Sequence, residues 1–217
     1  MFDVDFTLAR PGPDLGPEGY RRLGARHGLD LDPARHDEAR RAAIAGLERS
    51  PELDHDEELW ILFTQRIIEG MGGVGDTYAA AAEMTRAWEQ ADHFELYPDV
   101  LSAVAELRGH GLKVGLLSNT ARDLDLFVAH HGLAVDALLT SRSHGKTKPH
   151  ASIFRGLLDL LDVLAEEAVM VGDSVDDDID GALSVGMRAL LVDREGRYPD
   201  RADRLEDLTG LASALRL

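Results

Sequence analysis

Val169-Met170-Val171-Gly172-Asp173-Ser174-Val175-Asp176-Asp177-Asp178 is an apolar run that ends in four carboxylates. A short apolar run closed by glycine reads as a buried strand, and residues 168–171 are predicted as one. Residues 178–185 then read as a helix. Working outward, residues 189–192 form a further apolar run, and 151–161, 123–131 and 100–110 carry helical patterns. Apolar runs at 113–117 and 137–139 separate those helices. Strands alternating with helices predict an α/β fold built on a doubly wound parallel sheet. Such sheets place their sites beyond the carboxyl ends of the strands.

Residues 15–92 break this rhythm. Four helical stretches are predicted there, at 19–28, 33–49, 57–71 and 77–90, with no strand between them. The third places Leu59, Trp60, Leu62, Phe63, Ile67 and Ile68 along one face. Helices without a strand suit a bundle of their own. The expected organisation is a core of residues 1–14 and 93–217, interrupted by a helical insertion at 15–92.

Composition narrows the function classes. With 217 residues and 44% apolar content, the chain suits one sizeable core with a smaller insertion. No apolar run approaches the ~20 residues of a membrane span, so no membrane role is expected. Cysteine is absent, which excludes disulfides and thiolate chemistry and points to a reducing cytoplasm. A net charge of −17 argues against nucleic acid as a partner. The only lysines are Lys113, Lys146 and Lys148. Two of them in one loop of an arginine-favouring chain invite explanation, since lysine is a compact point charge on a flexible stem.

The chemistry lies in four polar clusters. Asp3 and Asp5 follow the first apolar residues. They share a face if the strand continues to Thr7, and diverge if the chain turns after Asp3. Two close carboxylates need a cation, a shared proton or water between them. If the strand ending at Val171 neighbours the first, Asp3, Asp5 and Asp173 converge, and so dense an oxygen-only set suits magnesium. Asp176 to Asp178 also fit the acidic start of a helix. Ser118-Asn119 end a strand where a helix begins. They serve there as a cap or, through free N–H groups, as an anion site. Gly145-Lys146-Thr147-Lys148-Pro149 brings positive charge to the same sheet edge.

In this order the four clusters resemble the haloacid dehalogenase-like hydrolase superfamily. Its pattern is Asp-x-Asp-x-Thr, then Ser or Thr ending a strand, then Lys, then Gly-Asp with a later Asp. The chain reads Asp3-Val4-Asp5-Phe6-Thr7, Ser118-Asn119, Lys148-Pro149 and Gly172-Asp173, with Asp178-Ile179-Asp180-Gly181-Ala182. The resemblance implies a magnesium-dependent phosphatase acting on a small phosphorylated metabolite, with the helical insertion as a cap. It implies Asp3 as the nucleophile and Asp5 as general acid and base. Ser118 and Lys148 become the phosphate-holding pair, with Thr7 and Asn119 beside them as substrate-binding residues. Magnesium falls to the Asp3 carboxylate, the Asp5 backbone carbonyl, Asp173 and a final acid. The pattern allows Asp177 or Asp178 as that acid, and Asp-Ile-Asp-Gly-Ala favours Asp178. Lys146 is assigned to the rim.

Within the family, an acid two residues after the nucleophile argues for phosphoryl transfer over carbon–halogen cleavage. Phosphonate-cleaving members use a cap lysine, and no lysine precedes Lys113. Sugar-phosphate mutases share all four motifs, and a non-catalytic phospho-ligand-binding protein is the further alternative. Two departures stand out. Only Met1 and Phe2 precede Asp3, which predicts either upstream residues, the favoured reading, or a short and loosely supported strand. Phe6 stands where the family often has glycine.

Overall fold

Capping carboxylates and apolar faces build the helical part of the chain. The computed structural model describes all 217 residues and divides them into two units. The helical unit comprises Pro11–Pro51 and Asp56–Glu95. It contains α1 (Pro17–Arg26), α2 (His36–Ala45), α3 (Glu57–Gly70) and α4 (Thr77–Ala87). Asp56 Oδ1 accepts a hydrogen bond from Leu59 N, and Asp76 Oδ1 accepts one from Ala79 N, so each carboxylate starts its helix. Thr64, Ile67 and Ile68 of α3 are buried, as are Ala80, Ala81 and Met84 of α4. The helix expected at 33–49 is shorter. It opens with a 3₁₀ turn at Pro33–Arg35 and stops before Gly46.

The second unit comprises Met1–Arg10, Glu52–His55 and Leu96–Leu217. The chain therefore crosses between units four times, at Arg10/Pro11, Pro51/Glu52, His55/Asp56 and Glu95/Leu96. The short strands β1 (Ala9–Pro11) and β2 (Phe94–Leu96) lie at the first and last of these points, and neither was expected. Residues 52–55, expected in the helical insertion, group with the sheet unit for a physical reason. Thr147 N donates to Leu53 O at 2.8 Å and His55 N to Gly145 O at 3.0 Å. Lys146 Nζ reaches Glu52 O at 2.8 Å and Asp54 Oδ1 at 2.7 Å.

The sheet is parallel. β3 (Gly115–Ser118) pairs with β4 (Ala137–Thr140), and β5 (Val169–Gly172) pairs with β6 (Arg188–Val192), which pairs with β7 (Arg204–Leu205). Residues 1–3 join these groups, because Phe2 bridges Leu116 on one side and Val171 on the other. Four backbone hydrogen bonds of 2.8–2.9 Å fix this segment: Phe2 N to Gly115 O, Leu117 N to Phe2 O, Asp3 N to Val171 O and Val171 N to Met1 O. The first strand is thus short, yet it is paired on both edges at the centre of the sheet. Phe2 is 2% exposed, and burying one such ring contributes ~1.5–3 kcal/mol.

Ile153, Phe154, Leu157 and Leu158 of the helix Ala151–Leu161 pack with Leu117 and Met170 into the core beside it. The helix expected at 178–185 begins earlier, as a π-helical turn over Val175–Asp180 that continues into a short α-helix, Gly181–Ser184. Ser174 Oγ accepts from Asp177 N, and Asp178 Oδ2 accepts from Ser174 N. The widened turn points Asp178 inward, as π-turns do at many functional sites. No helix of the chain is long and apolar enough to cross a membrane.

Candidate active site

Each polar cluster leaves the carboxyl end of its own strand, and the parallel sheet brings three of them together. Asp3 follows Phe2, Asp173 follows β5, and Asp178 is delivered by the π-turn. Their carboxylates offer oxygens that all lie within 4.8 Å of one another. Lys148 enters from the loop after β4, and its Nζ lies 2.6 Å from Asp3 Oδ1 and 2.6 Å from Asp178 Oδ1. Asp3, Lys148 and Asp178 are 6%, 2% and 1% exposed, so the ion pairs are shielded from water.

Burial and charge set the electrostatics. Desolvation pushes the Asp3 carboxyl well above its usual value; Lys148 opposes the shift, and the neighbouring carboxylates of Asp178, Asp173 and Asp5 reinforce it. Burial also raises Asp173, to about 6, reinforced by Asp178 and opposed by Arg197, whose Nη2 lies 3.1 Å from Asp173 Oδ2. Lys148 is raised despite its burial, because Asp178 and Asp3 favour its charged form.

Asn119 sets where Lys148 sits. Its Oδ1 accepts from Lys148 N at 2.7 Å, and its Nδ2 donates to Lys148 O at 3.1 Å. Both ends of the amide are engaged with the lysine backbone. Nδ2 also lies 3.4 Å from Asp177 Oδ2, so Asp177 turns to Asn119 while Asp178 joins Asp3 and Asp173. Ser118 is buried at the last position of β3. Thr7 is fully buried and its Oγ1 has no hydrogen-bond partner. Its carbonyl accepts from Arg194 Nη2 at 2.9 Å, and that guanidinium stacks 3.8 Å over the Tyr97 ring. Lys146, the rim residue of the sequence reading, is occupied by Glu52 and Asp54.

Asp5 departs from the others. Its carboxylate is not in the Asp3–Asp173–Asp178 group. The chain turns after Val4, and Phe6 takes φ +66°. That left-handed conformation costs a non-glycine residue about 1–2 kcal/mol, which explains why glycine suits the position. The turn directs Asp5 to Arg122, with Nη1 to Oδ1 at 2.8 Å and Nη2 to Oδ2 at 3.3 Å. Sequence reasoning passed over Arg122. The only signal for it was an arginine in the Ser118-Asn119-Thr120-Ala121-Arg122 turn, beside a cluster already singled out.

A family model for haloacid dehalogenase-like hydrolases matches residues 2–186. Among curated proteins, phosphatase MT3486 of Mycobacterium tuberculosis is 38% identical over 124 residues, and the match spans 55% of each chain. The chain thus spans little more than half the length of that relative. Ribulose-1,5-bisphosphate 5-phosphatase of Halopiger xanaduensis is 30% identical over 215 residues, covering 94% of this chain and 89% of that one. Among solved structures, a phosphatase from Thermococcus onnurineus aligns over 99% of this chain and 95% of its own, with a TM-score of 0.69 and 27% identity.

Proposed function

The chain belongs to the haloacid dehalogenase-like hydrolases, and from that premise we propose that it is a phosphoric monoester hydrolase, a magnesium-dependent phosphatase that works through an aspartyl-phosphate on Asp3. The observation that carries this reading is the group of Asp3, Asp173 and Asp178, of which the buried Asp3 and Asp178 share Lys148. Three carboxylates there face one ammonium, with Arg197 reaching Asp173 from the rim. So dense a set of hard oxygen donors fits a divalent cation such as magnesium. Asp3, Asp173 and Asp178 would hold it with the Asp5 carbonyl. When bound, it neutralises charge on the transferring phosphoryl oxygens.

The residues divide the work. An Asp3 oxygen attacks phosphorus, and the bond from phosphorus to the ester oxygen breaks. Lys148, fixed by Asn119, holds the Asp3 carboxylate in place and offers a positive charge to the phosphoryl group. Ser118 and Thr7 supply hydroxyls to its oxygens. Asp5 gives a proton to the departing ester oxygen, then takes one from the water that attacks the phosphorylated Asp3. Inorganic phosphate leaves and Asp3 is restored. The substrate is a small phosphorylated metabolite. The helical unit is the cap that selects it, and a chain without cysteine suits a reducing cytoplasm.

The test is a panel of small phosphate esters with and without magnesium, run beside Asp3→Asn. Metal-dependent phosphate release that the substitution abolishes is the expected result. Wild-type protein inert toward every ester, or a mutant as active as wild type, would refute the reading.

A further inference from the structure

The geometry points to Arg122 as a positioning residue for Asp5, an inference that rests on the acid/base role proposed above. Arg122 is among the largest fully buried side chains of the protein. Its side chain is 1% exposed, whereas that of its partner Asp5 is 23% exposed. One planar guanidinium engages both carboxylate oxygens, at 2.8 and 3.3 Å, which fixes the plane of the carboxylate as well as its place.

Arg122 is itself held. Its backbone N donates to Thr120 Oγ1 at 3.1 Å, and its guanidinium carbon lies 5.4 Å from the centre of the buried Phe127 ring. It sits in the turn between β3 and the helix Leu124–His131, the turn that follows Ser118 and also carries Asn119. The carboxylates of Asp3 and Asp5 are thus pinned by different cations, Lys148 for one and Arg122 for the other. Asp5 stands directly before a turn whose first residue, Phe6, is in a left-handed conformation.

The proton balance shows what such aim serves. In ester cleavage the phosphorus–oxygen bond breaks and its electron pair goes to the leaving oxygen, which takes the Asp5 proton. In the second step Asp5 takes a proton from water as the phosphorus–oxygen bond to Asp3 breaks. An aliphatic alcohol depends on that first proton. p-Nitrophenol leaves as a stable anion and barely needs it. A mispositioned Asp5 therefore penalises alkyl esters selectively, whereas a generally loosened site penalises both kinds alike.

The experiment compares kcat/KM, which reports the steps through Asp3 phosphorylation, for an aliphatic phosphate ester and for p-nitrophenyl phosphate. Wild type, Arg122→Met, Arg122→Lys and Asp5→Asn are assayed together. Arg122→Met leaves a partly exposed carboxylate that water can solvate, so the fold is expected to survive. The expected result is a loss on the alkyl ester about tenfold larger than on p-nitrophenyl phosphate, in the direction of Asp5→Asn. Equal losses, or none, in Arg122→Met beside a selective loss in Asp5→Asn overturn the role of Arg122 and leave the proposed function standing. No selective loss in Asp5→Asn overturns the acid/base reading and this inference with it. If circular dichroism shows Arg122→Met unfolded, Arg122→Lys decides: a smaller selective loss supports the role, and equal losses or none on the two esters refute it.

Discussion

The Lys148 ammonium and the Asp3 carboxylate, 145 residues apart in the chain, meet at 2.6 Å with side chains 3% and 9% exposed. The same nitrogen holds Asp178 at 2.6 Å. One cation thus stands between the proposed nucleophile and a proposed metal ligand, and removing it leaves two buried carboxylates without their shared counter-charge. Lys148→Met is expected to destabilise the metal-free protein by about 3–5 kcal/mol and to abolish phosphate release. Magnesium should recover part of the stability, because a cation that binds only the folded state adds its binding free energy. Urea unfolding with and without magnesium checks this. A mutant as stable as wild type without metal would show that the pair carries no net stabilisation.

Asp173 makes stability and metal affinity respond oppositely to pH. Burial raises its folded-state value from 3.8 to about 6, so the metal-free folded protein binds this proton more tightly than the unfolded chain. The resulting stabilisation is fully present below pH 3.8 and is lost as pH rises through about 6. A shift of this size corresponds to roughly 2–3 kcal/mol. Asp173→Asn removes the loss, so metal-free Asp173→Asn should exceed wild type in stability at pH 7 by an amount of that order. Magnesium needs the ionised carboxylate, so wild-type affinity should fall as pH drops through about 6. Calorimetric titration at several pH values reads the second effect, and an affinity flat across that range would contradict it.

Gly172 touches the site without contributing a side chain. A Cβ placed there would lie 2.2 Å from Asp178 Oδ2 and 2.5 Å from Asp178 Cβ. Gly172→Ala is expected to force Asp178 off Lys148 and out of the metal group. Overpacking of this kind costs about 1–3 kcal/mol. The expected signature is a larger fall in magnesium affinity than in melting temperature. Magnesium binding equal to wild type would mean that the π-turn can shift as a body without disturbing the group.

The alternation of apolar runs and helical patterns made the parallel sheet legible, because buried strands and amphipathic helices differ in period and length. Asp3, Asp173, Asp178 and Lys148 were legible as strand-end chemistry, and the sheet brings them together. The π-turn was not. Sequence period cannot distinguish it from the start of an ordinary helix. Arg122 was missed because a buried arginine looks like any surface arginine until its partner is known. Asn119 read as a strand-end polar residue, and only three-dimensional proximity shows both ends of its amide bound to the Lys148 backbone. Residues 52–55 likewise carry no signal in their sequence for joining the sheet unit, since backbone hydrogen bonds to Gly145 and Thr147 decide it.

Thr7 offers a separation of stability from function. Its hydroxyl is fully buried without a partner, a state that costs about 1–3 kcal/mol. Its backbone stays anchored whatever the side chain, because Arg194 bonds the carbonyl through Nε at 3.2 Å and Nη2 at 2.9 Å. Thr7→Val keeps the shape and removes the stranded oxygen, so the protein should be as stable as wild type or about 1 kcal/mol more stable. If the hydroxyl is held for the phosphoryl group, the same substitution lowers turnover and raises KM, while Thr7→Ser retains most of the activity. Thermal unfolding and steady-state kinetics on the three proteins read the two effects independently. A destabilised Thr7→Val would mean that the hydroxyl has a structural partner in solution, and a stable, fully active one would remove Thr7 from the substrate-binding set.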